Sequence, residues 1–224
     1  MLKFKTIIKN SKLLFLPLIL LAVAIGVWHG AAWWSEEQLL HKYEAQTGRK
    51  EFVEFLRRDK KELKKDLPFE DRVTYTLDLG LQWYVLGEYG RAVTWWGKGL
   101  ELKPDNEIGW YNLGNAYRRM KDFAKAEDAY EKSISYARQD EINGCLALAE
   151  LYGNDYLEKR DSVPDVYKRC LEKSPDNRDL IAQLGVYYRD RGDKENAIKY
   201  FDELYRLEPT VELGEEIRLL QGGQ

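Results

Sequence analysis

The residues that most often perform chemistry are scarce in this chain and poorly placed for it. Its two histidines, His29 and His41, lie inside or beside an apolar stretch near the beginning, and its two cysteines, Cys145 and Cys170, are 25 positions apart. No glycine-rich phosphate loop, no metal-spaced Cys/His cluster and no nucleophile beside a base can be found. The 38 acidic residues offer no isolated carboxylate pair that stands out from the rest. These absences argue against an enzyme and point to no cofactor and no metal. The residues must instead shape a surface, so the elements that build that surface carry the argument.

Charge narrows the partner. All 38 acidic residues lie after position 34, whereas Lys3, Lys5, Lys9 and Lys12 precede it, so the remainder is more acidic than the chain as a whole. Phosphate-backbone binding needs a basic face that displaces counterions, so the balance weighs against nucleic acid as a partner and leaves room only for a local basic patch. From Leu13 to Trp34 (LLFLPLILLAVAIGVWHGAAWW) no residue carries a formal charge. As a helix this stretch would be roughly 33 Å long, about the hydrocarbon thickness of a bilayer, and it reads as a transmembrane span with Trp28, Trp33 and Trp34 at its far interface. A cleavable signal peptide is the competing reading, with Ala22-Val-Ala24 as its processing site. The lysine bias places the N-terminus in the cytoplasm and the rest outside, giving a single-pass cell-membrane protein.

Two linking helices are expected next, over 35–46 and 50–66. The second places Phe52, Phe55, Leu56 and Leu63 on one stripe and Arg57, Arg58, Lys60, Lys61, Lys64 and Lys65 opposite. That basic side is either a solvated face or a face laid against anionic headgroups. Pro68 is expected to end this helix.

Beyond Pro68 a period emerges. Gly80, Gly114, Ala149 and Gly185 are separated by 34, 35 and 36 residues, each after a leucine, and Trp96, Tyr130, Tyr167 and Phe201 follow at 34, 37 and 34. Ala92, Ala126 and Ala197 stand four before the aromatic, while Pro104, Pro175 and Pro209 close three of the units. WYNLGNAYRRMKDFAKAEDAY, from Trp110 to Tyr130, is the best copy. These residues resemble the tetratricopeptide repeat, and the resemblance implies an all-α solenoid of four helix-turn-helix units (about 73–106, 107–140, 142–177 and 178–211) with a closing helix from about Val211 to Gln221.

Close packing of the glycines against the small residues Ala92, Ala126 and Ala197 is expected, with Trp83, Trp96, Tyr117, Tyr130, Tyr188 and Phe201 filling the core. Gly87, Lys121 and Gly192 mark the inner turns. The third unit departs: two extra residues lie around GNDYLEKRDSVPD, and Pro164 fits the first turn of a late-starting second helix. In the repeat frame Cys145 and Cys170 fall on facing helix ends, so they form either a bridge within one unit or two buried thiols.

In proteins of this kind the first helices line a concave groove. The resemblance places Tyr84, Tyr111, Asn115, Arg118, Arg119, Glu150, Asn154 and Arg189 there, with Leu77, Leu81, Val186 and Asp190. The arginines either pair with acidic groups of a ligand or pair locally with Glu150 and Asp190. The carboxylate-clamp version of the groove is not reproduced, because its slots read Tyr111, Asn115, Ala147, Asp179 and Gln183 and only Asn115 matches. The expectation is a membrane-anchored adaptor that holds a peptide or protein partner, in assembly or maturation of envelope complexes. The rivals are a cytoplasm-facing scaffold and a structural subunit that makes contact through the convex Trp95.

Overall fold

The computed structural model describes residues 35–46 and 48–222. By compactness the chain divides into two units, Met1–Arg57 and Arg58–Gln224. Among the described residues the structure is helical throughout, with no strand.

In the first unit, residues 35–44 form α1, and α2 (Lys50–Glu62) begins after a turn at Gly48, whose φ is +81°. Arg57 is bonded to Glu37 (Nη2 to Oε1, 2.5 Å) and to Glu44, so the first residue of the expected basic face is already neutralised. Further along α2, Arg58 Nε donates to Asp59 Oδ1 at 2.8 Å and Lys65 Nζ to Glu62 at 2.7 Å. The buried line of α2 runs Val53, Leu56, Asp59, shifted by one position from the stripe expected through Phe52 and Phe55. Helix α2 ends at Glu62, ahead of Pro68, which serves as the N-cap position of α3. Proline is tolerated there because the missing N–H would have no intrahelical acceptor.

The second unit continues with α3 (Phe69–Val85), α4 (Tyr89–Leu102), α5 (Glu107–Arg119), α6 (Phe123–Tyr136), α7 (Asn143–Glu150), α8 (Val163–Leu171), α9 (Arg178–Asp190), α10 (Lys194–Leu207) and α11 (Val211–Leu220). α3/α4, α5/α6, α7/α8 and α9/α10 are the four helix pairs. The turns within the first, second and fourth pairs hold Gly87, Lys121 and Gly192 at φ of +86°, +61° and +74°. The left-handed conformation reverses the chain within three residues, and glycine reaches it at no steric cost. Asn106 and Asn177 cap α5 and α9, and Asp122 and Asp193 cap α6 and α10, each by accepting from a backbone N–H of the first turn.

The close approach inside each pair differs from expectation in an instructive way. Gly114 faces the ring of Tyr130, and a Cβ on it would lie 2.5 Å from Cδ1 of that ring. Gly80 and Gly185 meet Trp96 and Phe201 in the same manner. The glycines therefore make room for aromatic rings, while Ala92, Ala126 and Ala197 are fully buried one turn away. Two of these rings are tied in place: Trp96 Nε1 donates to Leu77 O at 3.0 Å, and the Tyr130 hydroxyl donates to Asn115 Oδ1 at 2.8 Å. Trp83, Trp96, Tyr130 and Phe201 are core, whereas Tyr117 and Tyr188 are only half-buried, a correction to their expected place.

One apolar seam runs from α6 to α10 through Tyr130, Leu148, Leu151, Tyr167, Leu180 and Tyr200. At the far end α11 places Ile217 and Leu213 on Phe201 and Ala197, closing the last pair.

The expected span, 13–34, lies outside the described residues. Among the described residues no helix is long and apolar enough to cross a membrane. The placement as a single-pass cell-membrane protein is accordingly corrected, and the envelope role that depended on it loses its support.

Candidate protein-binding groove

The third pair gives the groove its form. Helix α7 stops at Glu150 and passes into a π-helical turn, Leu151–Asp155, closed by the Tyr156 N–H donating to Leu151 O at 2.7 Å. A 3-10 segment, Leu157–Ser162, then leads to α8, with Pro164 in its first turn. Wide and tight turns in succession absorb the extra residues without interrupting the seam, as Leu151 and Tyr152 remain buried. Ion pairs fasten the segment on both sides: Asp155 and Lys159 to Arg118 and Glu127 (each 2.5 Å), and Asp161 to Arg191 (2.9 Å). Cys145 and Cys170 are bonded, with their Cα atoms 6.3 Å apart, and join α7 to α8.

This segment separates two cavities. The first, about 590 Å³, includes Tyr84, Tyr111, Asn115, Arg118, Arg119 and Glu150 in its lining, which brings together six of the residues expected in the groove. Lys121, Phe123 and Asp155 complete it; these three were not anticipated. The second, about 500 Å³, is lined by Asn154, Val186, Tyr187, Asp190 and others of α7 to α9, and it shares Glu150 with the first. A third of about 330 Å³ lies among α9, α10 and α11, where Arg189 is found, and it shares Val186 with the second. Asn154 and Arg189 thus sit in the neighbouring cavities, and the shared residues set the three cavities side by side. Beyond its other end, Leu77 and Leu81 line a smaller cavity of about 250 Å³ between α3 and α5.

Electrostatics sorts the arginines. Arg118 binds Glu150 Oε1 at 2.9 Å as well as Asp155, and these two bonds raise its pKa while the same bond holds the Glu150 carboxyl below the ordinary glutamate range. Arg189 lies 2.9 Å from Asp190 and 3.5 Å from Glu216. Arg119 donates to the Tyr84 hydroxyl at 3.4 Å and acts on Glu150 through space, and neither it nor Lys121 forms an ion pair with a carboxylate among the described residues. Asn115 accepts from Tyr130, so it is partly occupied. Burial pushes the Tyr130 phenol up, and that group stays a neutral donor at any ordinary pH. Among the described residues no group of three or more His, Cys, Asp or Glu could hold a metal ion.

With this geometry in view, comparison with known proteins is informative. Family models described as "Tetratricopeptide repeat" match residues 108–140 and 179–211, and one described as "TPR repeat" matches 80–121. The chain carries tetratricopeptide repeats, and the matched segments leave out the irregular third pair. A "TPR repeat-containing protein" of Borreliella burgdorferi is 28% identical over 178 residues, covering 75% of this chain and 76% of that protein. "BBSome complex member BBS4" of Bos taurus is 27% identical over 127 residues, which is 57% of this chain but only 24% of that protein. Among solved structures, MamA from Desulfovibrio magneticus RS-1 (41-end) superposes with a TM-score of 0.50 at 20% identity, covering 77% of this chain and 92% of the other. At that identity the likeness concerns the fold.

Proposed function

We propose that this chain is a non-catalytic adaptor that holds a peptide segment or a partner protein along the cleft lined by its first helices. Tetratricopeptide repeat proteins generally mediate protein–protein or peptide interactions, and a row of adjoining cavities suits an extended segment or a partner helix. The observation that carries the reading is the run of three cavities joined through Glu150 and Val186, with aromatic walls at Tyr84, Tyr111, Phe123 and Tyr187. Its tyrosines, asparagines and arginines are residue types suited to recognition.

The rival reading, contact through Trp95, gains nothing from the structure. That indole is half-buried and sits between the ammonium groups of Lys98 and Lys60, 4.4 and 5.7 Å from its ring centroid. A photo-crosslinking residue installed at Tyr111 and, separately, at Trp95 of the full chain in its own cells tests the choice. Adducts at Tyr111 are expected; adducts confined to Trp95 would overturn the groove reading.

A further inference from the structure

The cleft is not uniform in charge, and its two ends are unlike in a way that its repeat architecture does not require. In the first cavity Arg118 is taken up by Glu150 and Asp155, which leaves Arg119 and Lys121 as cations facing a space walled by Tyr84, Tyr111 and Phe123. Lys121 is held there by its left-handed turn, at φ +61°. Tyr84 is braced by the rings of Tyr89 and Trp96, with centroids 5.3 and 5.6 Å away. A carboxylate entering beside these two cations is attracted by both, and the neighbouring aromatic rings offer an apolar surface for the residues that flank it.

At the other end the cavity has an apolar floor of Val186, Phe201, Leu204 and Leu213 and a rim of Glu208, Glu212 and Glu216. Its single basic residue, Arg189, is paired with Glu216 and Asp190, and Glu208 is paired with Arg178 at 3.2 Å. Glu212 has no basic partner among the described residues, so the rim keeps an excess of negative charge.

We infer that the groove selects its partner by charge polarity. One extended polypeptide segment places an acidic side chain at Arg119 and Lys121 and, further along, a basic residue beside an apolar one at the α11 cavity. The inference rests on the groove reading above and adds the chemistry and the direction of the occupant. Charge complementarity supports it, since opposite charges at the two ends favour one orientation and penalise the reverse. Nucleic acid does not fit this surface, because the glutamate rim would face its phosphates.

A display library of random twelve-residue peptides, selected on the full chain and followed by fluorescence anisotropy of the enriched sequences, tests the inference. The enriched peptides should carry Asp or Glu toward one end and Lys or Arg beside an apolar residue toward the other. The exposed double substitution R119E/K121E should weaken them roughly tenfold, and replacing the peptide's acid by lysine should restore binding to that variant. Enriched peptides lacking this polarity, or affinities unmoved by R119E/K121E while circular dichroism is unchanged, would overturn the polarity and leave the groove standing. Failure of every peptide to bind would sink the groove reading together with it.

Discussion

The second and third helix pairs perform the same task by different means. In α5/α6 the approach is a glycine under a ring, Gly114 beneath Tyr130, with Asn106 and Asp122 capping the two helices. In α7/α8 the corresponding slots are Ala149 and Tyr167, neither helix has a side-chain cap, and the first helix gives way to a π-turn. The Cys145–Cys170 bond and the ion pairs of 155–161 fasten what side-chain packing and caps secure in the second pair. A repeat can therefore lose its packing signature and keep its place in the stack, provided covalent and ionic links replace what was lost. The relaxed pair is also the one whose inserted turn divides the groove into cavities.

The sharpest way to break this contrast is to remove the rings. Tyr130→Ala is expected to cost about 4 kcal/mol in urea unfolding, since a fully buried aromatic leaves a cavity flanked by glycine. Tyr167→Ala should cost clearly less, and equal losses would show that the two pairs are packed alike.

Next in size is the disulfide. It closes a separation of 25 residues, and the Cys145→Ala/Cys170→Ala double variant should lose about 3 kcal/mol. Hydrogen exchange should locate the loss in α7 and α8, with α5 and α6 little changed. Exchange that accelerates equally in both pairs would mean that the bond does not serve the third pair in particular.

Gly114→Ala sets two effects against each other. Alanine gains about 1 kcal/mol in helix propensity, but its Cβ would press on the Tyr130 ring, and overpacking of this kind costs about 1–3 kcal/mol. A net loss is expected by thermal unfolding, whereas Ala149→Gly in the third pair should cost about 2 kcal/mol, through lost propensity and a lost buried methyl. A stabilised Gly114→Ala protein would contradict the ring-on-glycine account.

The smallest effect concerns the link between the two pairs. Arg118 lowers the Glu150 carboxyl below its ordinary range. A carboxyl depressed in the folded state contributes stability that is full above the unfolded value and is lost as pH falls through the folded one. Acid titration of unfolding free energy from pH 6 downward should show this loss in the native chain and a shallower slope in Arg118→Ala. Glu150 is more than half exposed, so solvent screening keeps the difference under about 1 kcal/mol.

Much of the fold was legible because its signals are local. The left-handed turns at Gly87, Lys121 and Gly192 and Pro164 at the start of a delayed helix each act within a few residues of where they stand, and the recurring Gly80 and Gly114 act on a ring of the next helix. Of the groove, Tyr84, Tyr111, Asn115, Arg118, Arg119 and Glu150 were placed together through the repeat frame. Lys121 escaped notice in the cavity lining because its position in the sequence signals a turn. Asp155 escaped because its position depends on how the inserted residues fold. The insertion itself was visible, and a charged residue inside an insertion next to a groove is the signal that could have found it.

The amino-acid order alone determined that helices form in antiparallel pairs and where they reverse, because side-chain size and backbone conformation act over one or two turns. Which arginine is paired with acids and which is not was decided only in three dimensions. Arg118 finds Glu150 and Asp155 at sequence separations of 32 and 37. Coulomb attraction depends on distance in space, and a spacing along the chain does not specify it until the π-turn has folded.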